Sequence, residues 1–395
     1  MHNKYTLTDH TTSIKLLKPL SMVRRESDMK NSISIESTGL IYERTNPELD
    51  TVEITFPSLV QLNKNELLAT VDMQFQSPPL NRKTVSMRSL DEGETWNLEN
   101  PILSQSIPST THSIRTSKIS DGTLVGLGIL DHIHDPEIGV LNQKTLGRVQ
   151  NEFFIVRSTN QGNSWSNPEY INPPLIGPSW EICHPILELN DGRWLLPTAT
   201  WRGWNGDNPS GDQADIFISD DSGKTWPSFG RSFDGRKTLL TYWEQSVIQL
   251  KDNRLLAVCW VYDMKTGTTY PNQYSISENR GEDFCNPMDT GFQAQTCKVI
   301  QLQNEKLLGV YRRHDKPGLW ASLSVLENDQ WINLTQIPLW QGADSGIYGK
   351  SANVFGTLKF GYPSIQQLPS GKVLLLFWCI EKDSTNVKWM KLNLD

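Results

Sequence analysis

An apolar run, a tight polar turn and a second apolar run recur six times along the chain. The paired runs are residues 56–62 and 66–68, 117–119 and 123–125, 186–189 and 194–196, 247–250 and 255–256, 299–302 and 307–308, and 365–368 and 373–375. Short runs of this kind bounded by turn residues read as β-hairpins. The turns centre on Asn65, Gly122, Gly192, Asn253, Glu305 and Gly371, separated by 57, 70, 61, 52 and 66 residues. Each interval accommodates one four-stranded sheet, and a period of this size marks a repeat architecture.

A second motif falls later within the same intervals. Ser89-Leu90-Asp91-Glu92-Gly93-Glu94-Thr95-Trp96 is followed by related octets beginning at Ser158, Ser219 and Ser277, which lie 69, 61 and 58 residues apart. Asn328-Asp329-Gln330-Trp331 reads as a worn fifth copy. In each octet an Asp or Asn oxygen can cap backbone N–H groups, Gly supplies a positive φ, and the closing aromatic tucks under the turn. These residues satisfy their own backbone, so the octets read as structural rather than reactive.

Six four-stranded antiparallel sheets set in a ring bury their faces on one another and leave only short edges. The pattern therefore predicts an all-β fold, a six-bladed β-propeller, as a single unit over 31–395. The alternating Ile33-Ser34-Ile35-Glu36-Ser37 predicts a strand that closes the ring by pairing into the last blade, and residues 1–30 read as an N-terminal arm.

Composition supports a folded core: 37% of the 395 residues are hydrophobic, with 14 Trp, 12 Phe and 10 Tyr. The net charge of −7 and the scattered Lys and Arg argue against nucleic acid as a partner. No run approaches the ~20 apolar residues needed to span a bilayer, which argues against a membrane partner. The first 21 residues lack the apolar segment of an export signal, so the expected compartment is the cytoplasm, or the cell exterior or periplasm if a leader has been removed. Five widely spaced cysteines read as buried thiols, without a disulfide framework. Asp131-His132-Ile133-His134-Asp135 has the look of a metal site but lacks a third ligand at suitable spacing, and neither metal nor cofactor is expected.

The octets are Asp boxes, and four of them within a ring of six such hairpins resemble the sialidase superfamily, from about Ile54 to the C-terminus. The resemblance implies a substrate over the central axis, contacted by the first residues of each innermost strand. Counting nine back from the turns gives Phe56, Ser113, Cys183, Glu244, Thr296 and Tyr362. The segments around Glu244 and Tyr362 resemble those that carry the sialidase glutamate and the tyrosine nucleophile it activates. The arginine triad that clamps the sialic acid carboxylate is incomplete: Thr55 and Trp260 stand at two of its positions, and only Arg312 at the third. The chain is thus sialidase-like in fold with a different substrate.

Glu181, eleven before its turn, shares the face of the nine-back column by the two-residue strand period. Trp180-Glu181-Ile182 and Trp243-Glu244-Gln245 are matching contexts on adjacent blades. Two carboxyls over one axis suit glycoside hydrolysis, and the pair is similar to that of exo-arabinanases of this superfold. The expected activity is a glycosidase acting on a carbohydrate chain end, with Glu181, Glu244 and Tyr362 catalytic. Glu181 is favoured as acid/base and Tyr362 is expected to bond Glu244. Trp180, Tyr242 and Trp243 are candidate sugar platforms. Asp72, His112, Arg115, Asp131, His184 and Arg312 complete the expected binding set. Two alternatives stand beside this reading: a uronate lyase using His112 or His184 with Tyr362 or Tyr242, and a propeller that binds glycan without turnover.

Overall fold

The computed structural model describes residues 31–43, 52–75, 81–105, 107–135, 138–182, 184–344 and 358–395. Residues 1–30, read as an arm, and Cys183 lie outside them. The described residues form strands and no helix, gathered into six antiparallel sheets. The innermost strands are Glu53–Gln61, Thr110–Lys118, Ser179–Ile182 with its continuation Leu187–Glu188, Leu240–Gln249, Ala294–Gln301 and Phe360–Gln367, and they define blades one to six. Ile33–Leu40 pairs antiparallel with Ser384–Leu394 as the outermost strand of blade six. The alternating N-terminal segment therefore closes the ring.

All four complete Asp boxes form the turn after a blade's third strand. In the first, Ser89 Oγ accepts from Gly93 N–H at 2.8 Å, and Asp91 Oδ1 accepts from Thr95 N–H at 2.9 Å. The box glycine is required twice over. Gly93 has φ of +90°, and a Cβ there would lie 2.5 Å from Leu374 of the neighbouring blade. The box is thus also a blade-to-blade contact. The worn copy in blade five is no box: Asn328 and Asp329, with φ of 49° and 63°, form a two-residue hairpin between Leu319–Glu327 and Gln330–Trp340. Lys382 and Asp383 do the same in blade six.

At the lower end of the ring one polar position stitches blades together. In four blades the residue before the last leucine of the apolar run accepts the turn N–H of the preceding blade: Glu188 from Ser120, Gln249 from Asn190, Gln301 from Lys251, and Gln367 from Gln303, at 2.6–2.9 Å. The next acceptor is Gln61, but the N–H it would take belongs to Pro369, which has none, and Gln61 instead bonds Lys64 O within its own turn.

The upper end of the innermost strands is irregular in a repeated way. The register slips by one residue between Thr55 and Ser58, Trp243 and Ser246, Gln295 and Lys298, and Gly361 and Ser364. In each of these bulges the residue nine before the turn is left-handed: Phe56, Glu244, Thr296 and Tyr362 have φ of 49°, 51°, 50° and 47°. Non-glycine residues are rarely found there, a β-branched one least of all. The bulge reverses the strand's alternation, so that consecutive residues such as Trp243 and Glu244 face the same space. Blade two has no bulge, and Ser113 pairs regularly with Ile129.

Candidate functional site

The bulged residues converge on a cleft of about 430 Å³ over the upper axis. Its lining includes Phe56, Glu181, Trp201, Trp243, Glu244, Trp260, Thr296, Arg312, Tyr362 and Trp378. Glu181, Glu244 and Tyr362, which come from blades three, four and six, thus face one space. Glu181 Oε2 accepts from the backbone N–H of Glu244 at 2.9 Å.

The two glutamates are not symmetry mates. Ala199 and Trp260 each lie seven residues after their turns, and they pair with Glu181 and Trp243 respectively. Glu181 is therefore the register equivalent of Trp243, one rung above Glu244. Blade three carries one residue more in its break, between Ile182 and Leu187, than the other bulged blades. That offset places the Glu181 carboxylate against the Glu244 backbone.

Burial raises the Glu244 carboxyl above its ordinary range, with Arg312 and Lys298 opposing. Thr296 Oγ1 donates to Glu244 Oε2. Arg312 is 2% exposed, and burial depresses its guanidinium to about 10 while Glu244 opposes that shift. Two of its donors are committed, Nε to Gln295 Oε1 and Nη1 to Phe360 O, each at 2.8 Å. Tyr362 donates its hydroxyl to Ile182 O at 3.2 Å; this bond goes to backbone rather than to Glu244, the partner expected from sequence. Its ring separates the cleft from a second cavity of about 560 Å³ along the lower axis. The Arg115 guanidinium lies 4.8 Å and the Lys298 ammonium 5.0 Å from the Tyr362 ring centroid.

Other expected residues lie elsewhere. Trp180, on the opposite face to Glu181, packs on Phe153 and Phe217 between blades two and three. Tyr242, opposite Trp243, stacks on Phe233 and donates to Gln273. Strand alternation removes both from the cleft. Asp72 is wholly buried and accepts from Thr84 and Ser113, with Arg115 Nη1 3.5 Å away. His112 sits between blades one and two, its imidazole depressed to about 4 by burial. His184 lines the lower cavity and is depressed to about 3, by burial and by Lys298. Neither histidine is among the residues that line the cleft. His132 pairs with Glu152, and among the described residues no cluster of three or more His, Cys, Asp or Glu could hold a metal. Cys259, Cys297 and Cys379 are buried thiols, whereas Cys285, just past the fourth box, is exposed.

Several cleft residues were not singled out from sequence. Trp201 stacks on Trp243 at 5.5 Å, and Trp260 meets Trp243 edge-on at 4.9 Å, so an aromatic wall stands beside Glu244. Arg82 and Arg148 also line the cleft. Both bind Asp131, which is fully buried behind them: Arg148 through Nε and Nη2 at 2.8 Å, and Arg82 through Nη2 at 3.2 Å. Burial works against charge on Asp131, but Arg148, Arg82 and the Asn151 amide together hold the carboxyl below its usual range.

Among solved structures, a protein of unknown function from Dyadobacter fermentans superposes with a TM-score of 0.71 at 20% identity, over 92% of this chain and 99% of that one. An α-L-arabinanase from Penicillium chrysogenum, complexed with arabinobiose, gives 0.64 at 14% identity over 91% and 98%. The NanB sialidase from Streptococcus pneumoniae gives 0.63 at 14% identity over 90% and 70%. At these identities the likeness is one of fold. No curated protein matches the chain. The family model described as BNR repeat-like domain matches residues 137–375, which is more than half of the chain and spans the Asp boxes of blades two to four. The protein belongs to the BNR repeat-like domain family.

Proposed function

We propose that the chain is a glycoside hydrolase acting on the end of a glycan, with Glu244 as general acid/base, Glu181 as the second carboxylate and Tyr362 beneath the reacting sugar. The observation that carries this reading is the meeting of Glu181 and Glu244 in one cleft, carboxylate against backbone N–H. A pair of carboxyls in unlike environments is what acid and base roles require. Burial raises the Glu244 carboxyl, whereas the Glu181 carboxylate is fixed as the acceptor of the Glu244 backbone N–H. This reverses the assignment favoured from sequence.

In the reaction Glu244 gives its proton to the glycosidic oxygen as the bond to the anomeric carbon breaks. Glu181 faces the cationic sugar that develops, and water then supplies the new hydroxyl and returns a proton to Glu244. Trp201, Trp243 and Trp260 offer apolar faces for sugar C–H groups. A cleft of this size is in the range of small-ligand sites and suits one or two terminal rings rather than a long strand. The arabinanase and sialidase of the same fold, by their names, act on glycans.

A panel of aryl glycosides and uronate polysaccharides tests the reading. Release of reducing sugar without the ultraviolet band of an unsaturated uronate supports it. Equal growth of both would establish elimination, and saturable binding without turnover would establish a binding protein.

A further inference from the structure

We propose that the cleft contains a subsite for an oxyanion on the substrate, a sugar carboxylate or sulfate ester, formed by Arg82 and Arg148. The inference rests on the glycosidase reading and adds the substrate class to it. The two arginines come from unrelated parts of the chain, Arg82 from the third strand of blade one, Asn81–Ser89, and Arg148 from the loop before Asn151–Ser158. They meet on the single carboxylate of Asp131.

Both guanidinium groups bond Asp131, Asp72 also acts on Arg82 and Glu181 on Arg148, so an anion would be held by the donors these groups leave unspent. Arg148 spends Nε and Nη2 on Asp131, and Arg82 spends Nη2 on Asp131 and Nε on His112 O. Among the described residues nothing accepts from Nη1 of either. Their side chains keep 15% and 16% exposure, and both line the cleft. The donors left over therefore face the space where substrate would sit.

The same ion pairs hold the two guanidinium planes in place before any ligand arrives, which reduces the ordering that anion binding would otherwise require. Arg312, the residue expected to meet an acidic sugar, is nearly sealed and already bonded. The anion site has moved to the other side of the cleft. Glu53, a carboxylate on that side, is exposed and lies across Gln74 from Arg82, where solvent screens it.

Isothermal titration of the intact chain with glucuronate, galacturonate and galactose 6-sulfate, beside glucose and galactose, tests the subsite. An acid sugar should bind at least about tenfold tighter than its neutral parent, with an advantage that shrinks as salt is raised. Arg148→Gln and Arg82→Gln should each remove most of that advantage. Asp131→Asn, which keeps both arginines and deletes their shared counter-charge, should enlarge it, and this variant stands if the arginine variants fail to fold. The carboxylate and sulfate arms show which oxyanion is taken. Equal binding of acid and neutral sugars, no binding of any acid sugar, or an advantage unchanged in all three variants would overturn the proposal. Because binding is read without turnover, acid-sugar preference with a silent aryl glycoside panel would defeat the hydrolase reading alone. Cleavage of neutral glycosides with no such preference would defeat the subsite alone.

Discussion

The backbone N–H of Glu244 donates to the Glu181 carboxylate at 2.9 Å across the seam between the third and fourth blades. The contact exists because the two blades are not equivalent at their upper ends. Blade four turns Glu244 inward with a one-residue bulge and a left-handed backbone. Blade three breaks its inner strand over a longer stretch and leaves Glu181 one rung higher. Four innermost strands hold residues at φ near 50° around this axis, each a conformation that costs on the order of 1 kcal/mol or more. The stability of the ring supports this strain where it aims side chains into the cleft.

Burial raises the Glu244 carboxyl, and the Thr296 hydroxyl that donates to it is a contact that works the other way, since a donor favours the ionised form. An acid/base Glu244 must be protonated at the start of the reaction, so activity falls as pH rises through its raised pKa. Thr296→Val keeps the β-branched shape and deletes the donor. The pKa of Glu244 then rises further, and the alkaline limb of the kcat/KM profile moves to higher pH. A purely structural Thr296 would lower stability and leave that limb in place.

Asp215 is buried with no hydrogen bond to either carboxyl oxygen, although Arg231 Nε lies 3.4 Å away. Burial pushes it up to about 7, opposed by Arg231 and Arg236, from an ordinary value of 3.8. The protonated form is the one the fold favours. Its contribution to stability is full below about 3.8, falls across the window up to about 7, and is absent above it. Asp215→Asn should raise the thermal midpoint at pH 8, by a stability gain on the order of 1–3 kcal/mol, and much less near pH ~4. Equal shifts at both pH values would contradict this.

Box glycines and turn glycines differ in what surrounds them. Gly93 has both a positive φ and Leu374 within 2.5 Å of a new Cβ, whereas Gly122, with φ of +91°, has nothing within 4 Å. Gly122→Ala should cost about 1 kcal/mol from backbone strain alone. Gly93→Ala adds overpacking between blades and should cost about 2–4 kcal/mol. Denaturant titrations of the two variants give the comparison.

Repeats carry most of what was legible in the sequence. Hairpin spacing and box glycines are periodic, and they establish blade number and the inward column that contains Glu244 and Tyr362, while the closing strand is read from the alternation of residues 33–37. The rest departs from the period. Counting back from the turn places Cys183 level with Glu244 and misses the longer break that sets the height of Glu181. Trp180 and Tyr242 adjoin inward-facing residues, and alternation turns each of them into the core. Arg82 and Arg148 come from an outer strand and an irregular loop, where no repeat points to the axis. The turns of blades five and six use Asn328-Asp329 and Lys382-Asp383 at positive φ, with no glycine to mark them. The Gln-Leu pairs of blades one, four, five and six were visible as text, but the bond each glutamine makes reaches a different blade or turns back within its own.

Turnover of the best aryl glycoside by the wild type, Glu181→Gln and Glu244→Gln, with folding verified by thermal midpoint, tests the paired-carboxylate account most directly. Each variant should lose on the order of 10³-fold or more in kcat while keeping a folded ring. Wild-type rates in both variants would contradict it.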